Sequence, residues 1–229
     1  MSEEKSLPEQ LADRIVQLIL DEHLGQGDRL PKEADLIELL GAGRSSVREA
    51  VKLLASRNIV TVRQGSGTYV SSNPGMVDDP LGFTFVEDKG KLASDLLEIR
   101  FMIEPEMARM AAARASEEDI ARIKAACDEA ERLIERGEDH SPADVAFHRA
   151  IAESCGNLVV PRIIPILNES VPLFISVTNR QLLAETIKTH RGIADAIARH
   201  DATAAGDAMY LHLVYNRQLI NEVTVGERG

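Results

Sequence analysis

The chain has 229 residues, enough for two compact domains with separate cores. A hydrophobic fraction of 44% and a charged fraction of 28% exclude a disordered chain. The net charge of −11 excludes a chain that is basic throughout.

No apolar run reaches the roughly 18 residues of a membrane span. The opening MSEEKSLPEQ lacks the basic-then-apolar layout of a secretory leader, so no membrane contact and a cytoplasmic location are expected. The charge is uneven along the chain. Residues 1–73 carry −2, and within them residues 41–73 set Arg44, Arg48, Lys52, Arg57 and Arg63 against Glu49 alone, a local +4. Phosphate neutralisation depends on such a patch and not on the total.

Ser6 and Glu9 predict a capping box for a first helix over about 7–24, with Pro8 in its first turn. Leu11, Ile15, Leu18 and Ile19 recur at helical spacing. A second helix follows Pro31, uses Leu36, Leu39 and Leu40 as its apolar face, and ends at Gly41. A third, over about 44–57, turns Val47, Val51 and Leu54 inward and leaves Arg44, Ser45 and Arg48 outward. Residues 59–62 and 68–70 read as strands flanking the tip Gln64-Gly65-Ser66-Gly67. Together these form a winged helix-turn-helix. A helix opening on arginines and small hydroxyls suits a major groove, where arginine pairs bidentately with guanine and serine donates to phosphates. With 3% aromatic residues and no tryptophan, single-strand recognition by stacking is excluded.

The turn-rich run Ser71-Ser72-Asn73-Pro74-Gly75 marks a boundary. It predicts a DNA-binding domain over 1–73, a linker over 74–82 and a second domain over 83–229. Beyond it the pattern is helical: about 92–115 with Leu96, Ile99, Ile103, Met107 and Met110 on one face, then 116–136, 141–155, 157–178, 185–199 and 202–223. Pro161, Pro165 and Pro172 predict a kink in the fourth of these. The fold class is mainly α: a winged helix-turn-helix followed by an all-α bundle. Cys127 and Cys155 are expected as buried, reduced thiols.

Asp144 and His148, four apart, share one helical face, and Val145, Phe147 and Ile151 turn that region inward. His190 and His212 lie in two later helices. One carboxylate and three imidazoles suit zinc, nickel, manganese or iron. From spacing alone the histidines read more readily as hydrogen-bonded core residues than as ligands, and Asp144 equally as a carboxylate on a helix N-terminus. Arg100 sits on the apolar stripe. It either pairs with Glu104 one turn on or aims its fork at a carboxylate ligand. Three-histidine coordination would also allow a hydrolytic metalloenzyme, but no further carboxylate or histidine has the spacing of a general base.

With these residues in view, the chain resembles GntR-family transcription regulators of the FadR type. The likeness rests on Leu30-Pro31, Glu33, Leu36, Arg44, Val47-Arg48-Glu49-Ala50, Leu53-Leu54 and Arg63-Gln64-Gly65-Ser66-Gly67-Thr68. In the second half it rests on Asp144, Phe147-His148, Gly156-Asn157, His190 and His212. The resemblance implies a homodimer on an inverted-repeat operator in double-stranded DNA. It implies Arg44 and Arg48 reading bases, Ser45 and Ser46 on phosphates, and Arg63, Gln64 and Gly65 carrying the wing to the minor groove. It further implies a divalent metal, zinc first, on Asp144, His148, His190 and His212, and a small carboxylate effector gripped by Arg100 and Arg180. Ala34 and Gly43 depart from the family's usual arginine and hydroxyl residue. The chain is therefore expected to be a repressor governed by an organic or sugar acid and no enzyme, the alternative being a regulator for which the metal itself is the signal.

Overall fold

The computed structural model describes residues 5–77, 79–168 and 183–226, the last eight of these as helix backbone only. The chain divides into two compact units, Met1–Leu81 and Gly82–Gly229.

The first unit holds α1 (Leu7–Asp21), α2 (Glu33–Leu40), α3 (Arg44–Ser56), β1 (Val60–Arg63) and β2 (Gly67–Val70). Ser6 begins α1 by donating its backbone N–H and its hydroxyl to the Glu9 carboxylate, at 2.8 and 2.7 Å. The helix stops three residues short of the expected end, and His23 then takes a left-handed turn (φ 53°). Gly41 closes α2 in the left-handed conformation that glycine tolerates (φ 61°). Arg14 satisfies the exposed end of α2 by donating to the Leu40 carbonyl at 2.8 Å. Leu11, Ile15, Leu36, Leu40, Val47, Ala50, Leu54 and Val60 form the core. The strands pair antiparallel with Val60 opposite Val70 and Arg63 opposite Gly67. Backbone bonds from Leu30 to Thr68 and from Val70 to Asp28 tie the segment before α2 to the wing.

The second unit holds α4 (Lys89–Arg114), α5 (Glu117–Glu135), α6 (Ser141–Ser154), α7 (Val160–Leu167), α8 (Leu183–Ala198) and α9 (Ala202–Gly226). Asp88 and Ser116 cap α4 and α5 by accepting backbone N–H groups of Lys91 and Asp119. The core gathers Leu96, Met107, Ile123, Phe147, Ile151, Ile164, Ile193, Ile197 and Met209. His200, just past α8, donates from Nδ1 to the Ala112 carbonyl at 2.8 Å, a structural role that joins α8 to α4. Cys127 and Cys155 are buried free thiols, and burial pushes the Cys127 thiol up to about 11.

Two expectations need correction. Ile99 is 40% exposed, so the buried face of α4 is not the stripe proposed. It runs through Leu92, Leu96, Leu97, Arg100, Glu104, Met107 and Ala111, because an ion pair replaces apolar residues at its centre. The fourth helix of this unit is α7, which begins at Val160 where Asn157 Oδ1 accepts the Val159 N–H at 2.8 Å. Pro172 and Arg180 lie outside the described residues.

Candidate metal centre and nucleic-acid interface

Three helices of the second unit converge on one buried polar cluster. Asp144 and His148 come from α6, His190 from α8 and His212 from α9, and none is more than 6% exposed. One ring nitrogen from each of His148, His190 and His212 lies within 4.8 Å of the others. Asp144 reaches two of them, with Oδ1 3.3 Å from His190 Nε2 and Oδ2 3.8 Å from His148 Nε2. The structure thus brings all four sequence-derived candidates together.

The surroundings fix which nitrogens face inward. Thr189 gives its hydroxyl proton to the Glu185 carbonyl at 2.7 Å, so its oxygen accepts from His212 Nδ1 at 3.0 Å. Glu104 Oε2 lies 2.9 Å from His148 Nδ1. Arg100 Nη2 and Asn216 Nδ2, which can only donate, face the Nε2 atoms of His148 and His212 at 3.4 and 3.3 Å. His212 Nε2 therefore presents a lone pair. A carboxylate or hydroxyl on the far nitrogen of a ligating histidine is the usual support of a metal site.

These residues fit a divalent cation. His190 is 1% exposed, and neither of its ring nitrogens makes a hydrogen bond. Burial, opposed by Asp144 and reinforced by His148 and Arg100, lowers its pKa to about 4. Burial and the neighbouring His190, His148 and Arg100 hold His212 well below the ordinary imidazole range. With His190 and His212 held toward the neutral form, their ring nitrogens lie beside one another and beside the Asp144 carboxylate, a donor set that suits a positive charge among them. Mixed imidazole and carboxylate donors without thiolate suit zinc, nickel, manganese or iron.

Arg100 makes the first of its two expected contacts. Its Nε and Nη2 donate to Glu104 Oε1 and Oε2 at 2.6 and 3.3 Å, so the one-turn ion pair is made, at 1% and 0% exposure. Burial raises the Glu104 pKa, but Arg100 and then His148 outweigh it and hold the carboxyl at about 2. Glu104, Thr189 and Asn216 escaped notice in the sequence as partners of the histidines. Phe147 did too; its ring stacks on His190 with centroids 4.3 Å apart. The signal for Glu104 was its position one turn after an arginine on a buried stripe. Asn157, part of the sequence likeness, caps α7 from an exposed position.

In the first unit α3 begins at Arg44 behind Gly43, which has no side chain to cap it. Among the described residues no side chain caps its first backbone N–H groups. Arg44, Ser45 and Arg48 are exposed, Ser46 is half-buried, and Val47, Ala50 and Leu54 pack inward. Arg63, Gln64 and Gly65 are exposed at the wing tip. The tip is braced by Arg29, which donates to the Ser66 carbonyl at 2.5 Å, and by Arg63, whose guanidinium lies 4.5 Å from the Tyr69 ring centroid.

Residues 7–70 match the family described as bacterial regulatory proteins, gntR family. Residues 95–215 match the FCD domain. The chain belongs to the GntR family. This regulator is 34% identical over 232 residues to the putative L-lactate dehydrogenase operon regulatory protein of Escherichia coli K12, covering 92% of this chain and 85% of the relative. It is 28% identical over 223 residues to the HTH-type transcriptional repressor NanR of the same strain, covering 91% and 82%. Among solved structures it resembles a Streptococcus agalactiae GntR protein with a TM-score of 0.82 and 38% identity, over 92% of this chain and 99% of that one. It is a DNA-binding transcriptional regulator with an FCD effector domain, and such proteins are not enzymes. Among the described residues no helix is long and apolar enough to cross a membrane.

Proposed function

We propose that this regulator is a repressor that binds an inverted-repeat operator as a homodimer and responds to a small organic or sugar acid bound at a divalent metal. The observation that carries the reading is the convergence of Asp144, His148, His190 and His212 beside the buried Arg100. The ion, with zinc first, supplies Lewis-acid positions for an effector carboxylate. Arg100 supplies a second cationic contact, held in place by Glu104. Arg180, the other residue expected to grip the effector, lies outside the described residues. The relative named for an L-lactate dehydrogenase operon supports a small carboxylate as signal, and NanR supports repression.

On the DNA, Arg44 and Arg48 read base edges, Ser45 and Ser46 meet phosphates, and Arg63, Gln64 and Gly65 enter the adjacent minor groove. Self-association is supported by the exposed apolar side chains Ile99 and Met102 on α4 and Tyr210 and Leu211 on α9, of the kind a second copy covers. The linker between the two units, over 74–82, transmits the effector state. A ligand preferring the DNA-incompetent state by ~3 kcal/mol changes operator affinity more than a hundredfold.

The test is operator binding by fluorescence anisotropy, on duplexes enriched from a randomised library, across a panel of small carboxylates with and without chelator. Release by one acid only in the presence of metal is expected. DNA affinity that tracks free metal with no acid present would overturn the carboxylate reading and make the metal the signal.

A further inference from the structure

The face that carries the recognition arginines also carries an acid. Glu33, the first residue of α2, sets Oε1 3.3 Å from Arg44 Nε and Oε2 3.9 Å from Arg48 Nε. Both are charge contacts rather than hydrogen bonds, both fall nearest Nε, and the three side chains are about half exposed or more, at 47%, 74% and 64%. A carboxylate beside phosphates opposes DNA affinity, since residues 41–73 otherwise carry a local +4. Folding stability explains little of it either, because exposed ion pairs add only modestly to stability.

Geometry does explain it. An arginine has two hydrogen-bonding edges, one containing Nε and one formed by the two terminal nitrogens. The terminal edge is free to make the fork that matches guanine O6 and N7. A carboxylate that engages the Nε side restricts a long, mobile side chain while leaving that fork outward. Gly41 supports this by ending α2 in a left-handed turn, which brings the start of α3 back toward Glu33.

We propose that Glu33 is a positioning residue for operator reading, holding Arg44 and Arg48 by their Nε atoms so that their terminal forks meet base edges. Sequence discrimination rises at the expense of general affinity. The inference rests on the proposed role of Arg44 and Arg48 as base readers.

The test uses the full-length, metal-loaded protein, an operator enriched from a randomised library by the wild type, and a random duplex of equal length. Glu33→Gln keeps the shape and removes the charge. It should bind the random duplex more tightly, by about threefold, as one repulsive charge leaves the phosphate surface. Its preference for operator over random duplex should fall about tenfold, within the range that a well-made arginine–guanine fork supplies. The loss should map to the guanines whose substitution also weakens binding least in Arg44→Ala and Arg48→Ala. A purely structural role for Glu33 would weaken both duplexes together and lower the melting temperature.

An unchanged preference in Glu33→Gln overturns the inference. So does a loss confined to a cytosine position, which would make Glu33 a base reader itself. If Arg44→Ala with Arg48→Ala retains operator preference, or the wild type enriches no sequence, the underlying reading fails instead, and the two failures are told apart.

Discussion

Glu104 stands within 2.9 Å of His148 Nδ1 while it binds Arg100 through both of its oxygens. One buried carboxylate therefore serves a proposed effector cation and a proposed metal ligand at once. In a low-dielectric interior neither neighbour is indifferent to its loss.

Replacing Glu104 with glutamine removes the carboxylate that Nε and Nη2 of the buried Arg100 engage. Removing one member of a buried pair typically costs about 3–5 kcal/mol, whereas replacing both by apolar residues is far milder. Urea denaturation of Glu104→Gln should show a loss of that order, and Arg100→Met combined with Glu104→Leu a smaller one. Equal losses in the two variants would show that the pair is not compensating a buried charge.

Metal occupancy should appear as stability. A ligand at one hundred times its dissociation constant adds about 2.7 kcal/mol to a site it binds only in the folded state. For a unit of this size that is a rise of about 5–10 °C in melting temperature. Zinc added to chelator-treated protein should produce it in a thermal melt, and His190→Ala should abolish it. A wild-type melt that zinc leaves unmoved would remove the metal from the account.

Acid should destabilise the metal-free protein over a defined window. His190 is lowered from 6.5 to about 4, so the unfolded chain binds this proton first, and stability falls as pH drops from about 6.5 to about 4. His212 shifts in the same direction and adds to the loss. Glu104, lowered to about 2, contributes stability that is complete above its unfolded value of 4.5 and disappears as pH falls through about 2. The His190 contribution alone is roughly 3 kcal/mol. Denaturation midpoints measured from pH 7 to pH 4 in chelator should fall steadily, and should fall less in His190→Phe.

Gly67 holds φ at 139°, a conformation that side chains rarely adopt, and an added Cβ would sit 2.9 Å from Arg29 Nε. Gly67→Ala should therefore strain the second wing strand and push Arg29 off the Ser66 carbonyl. A cost of about 1–3 kcal/mol is expected in the first unit. DNA affinity should weaken at the wing-contacted flanks while metal binding in the second unit is untouched, as titration calorimetry and footprinting would report.

Much of this was legible in the sequence because local signals agreed with tertiary ones. Ser6 and Glu9, Gly41 and the Val47–Leu54 spacing marked the reading domain with little competition. Asp144 and His148 were readable because a four-residue spacing fixes a shared helical face, but their meeting with His190 and His212 depends on how helices pack, which spacing does not encode. Ile99 misled because apolar periodicity assumes an apolar interior, and α4 instead buries Arg100 and Glu104 on its inner side. Thr189 and Asn216 were invisible as partners, since a hydroxyl and an amide become supports only when an imidazole arrives from elsewhere in the chain. Glu33 was visible in the motif, but its reach toward two arginines follows from the α2–α3 turn.

The apolar cores of the two units have no residue in common: Leu11 to Val70 belong to one, Leu92 to Met209 to the other. Calorimetry of the intact chain should accordingly resolve two endotherms, with an added ion displacing only the one that belongs to the helical half. Separate cores let a substitution inside one unit change its packing while the apolar interior of the other keeps its own.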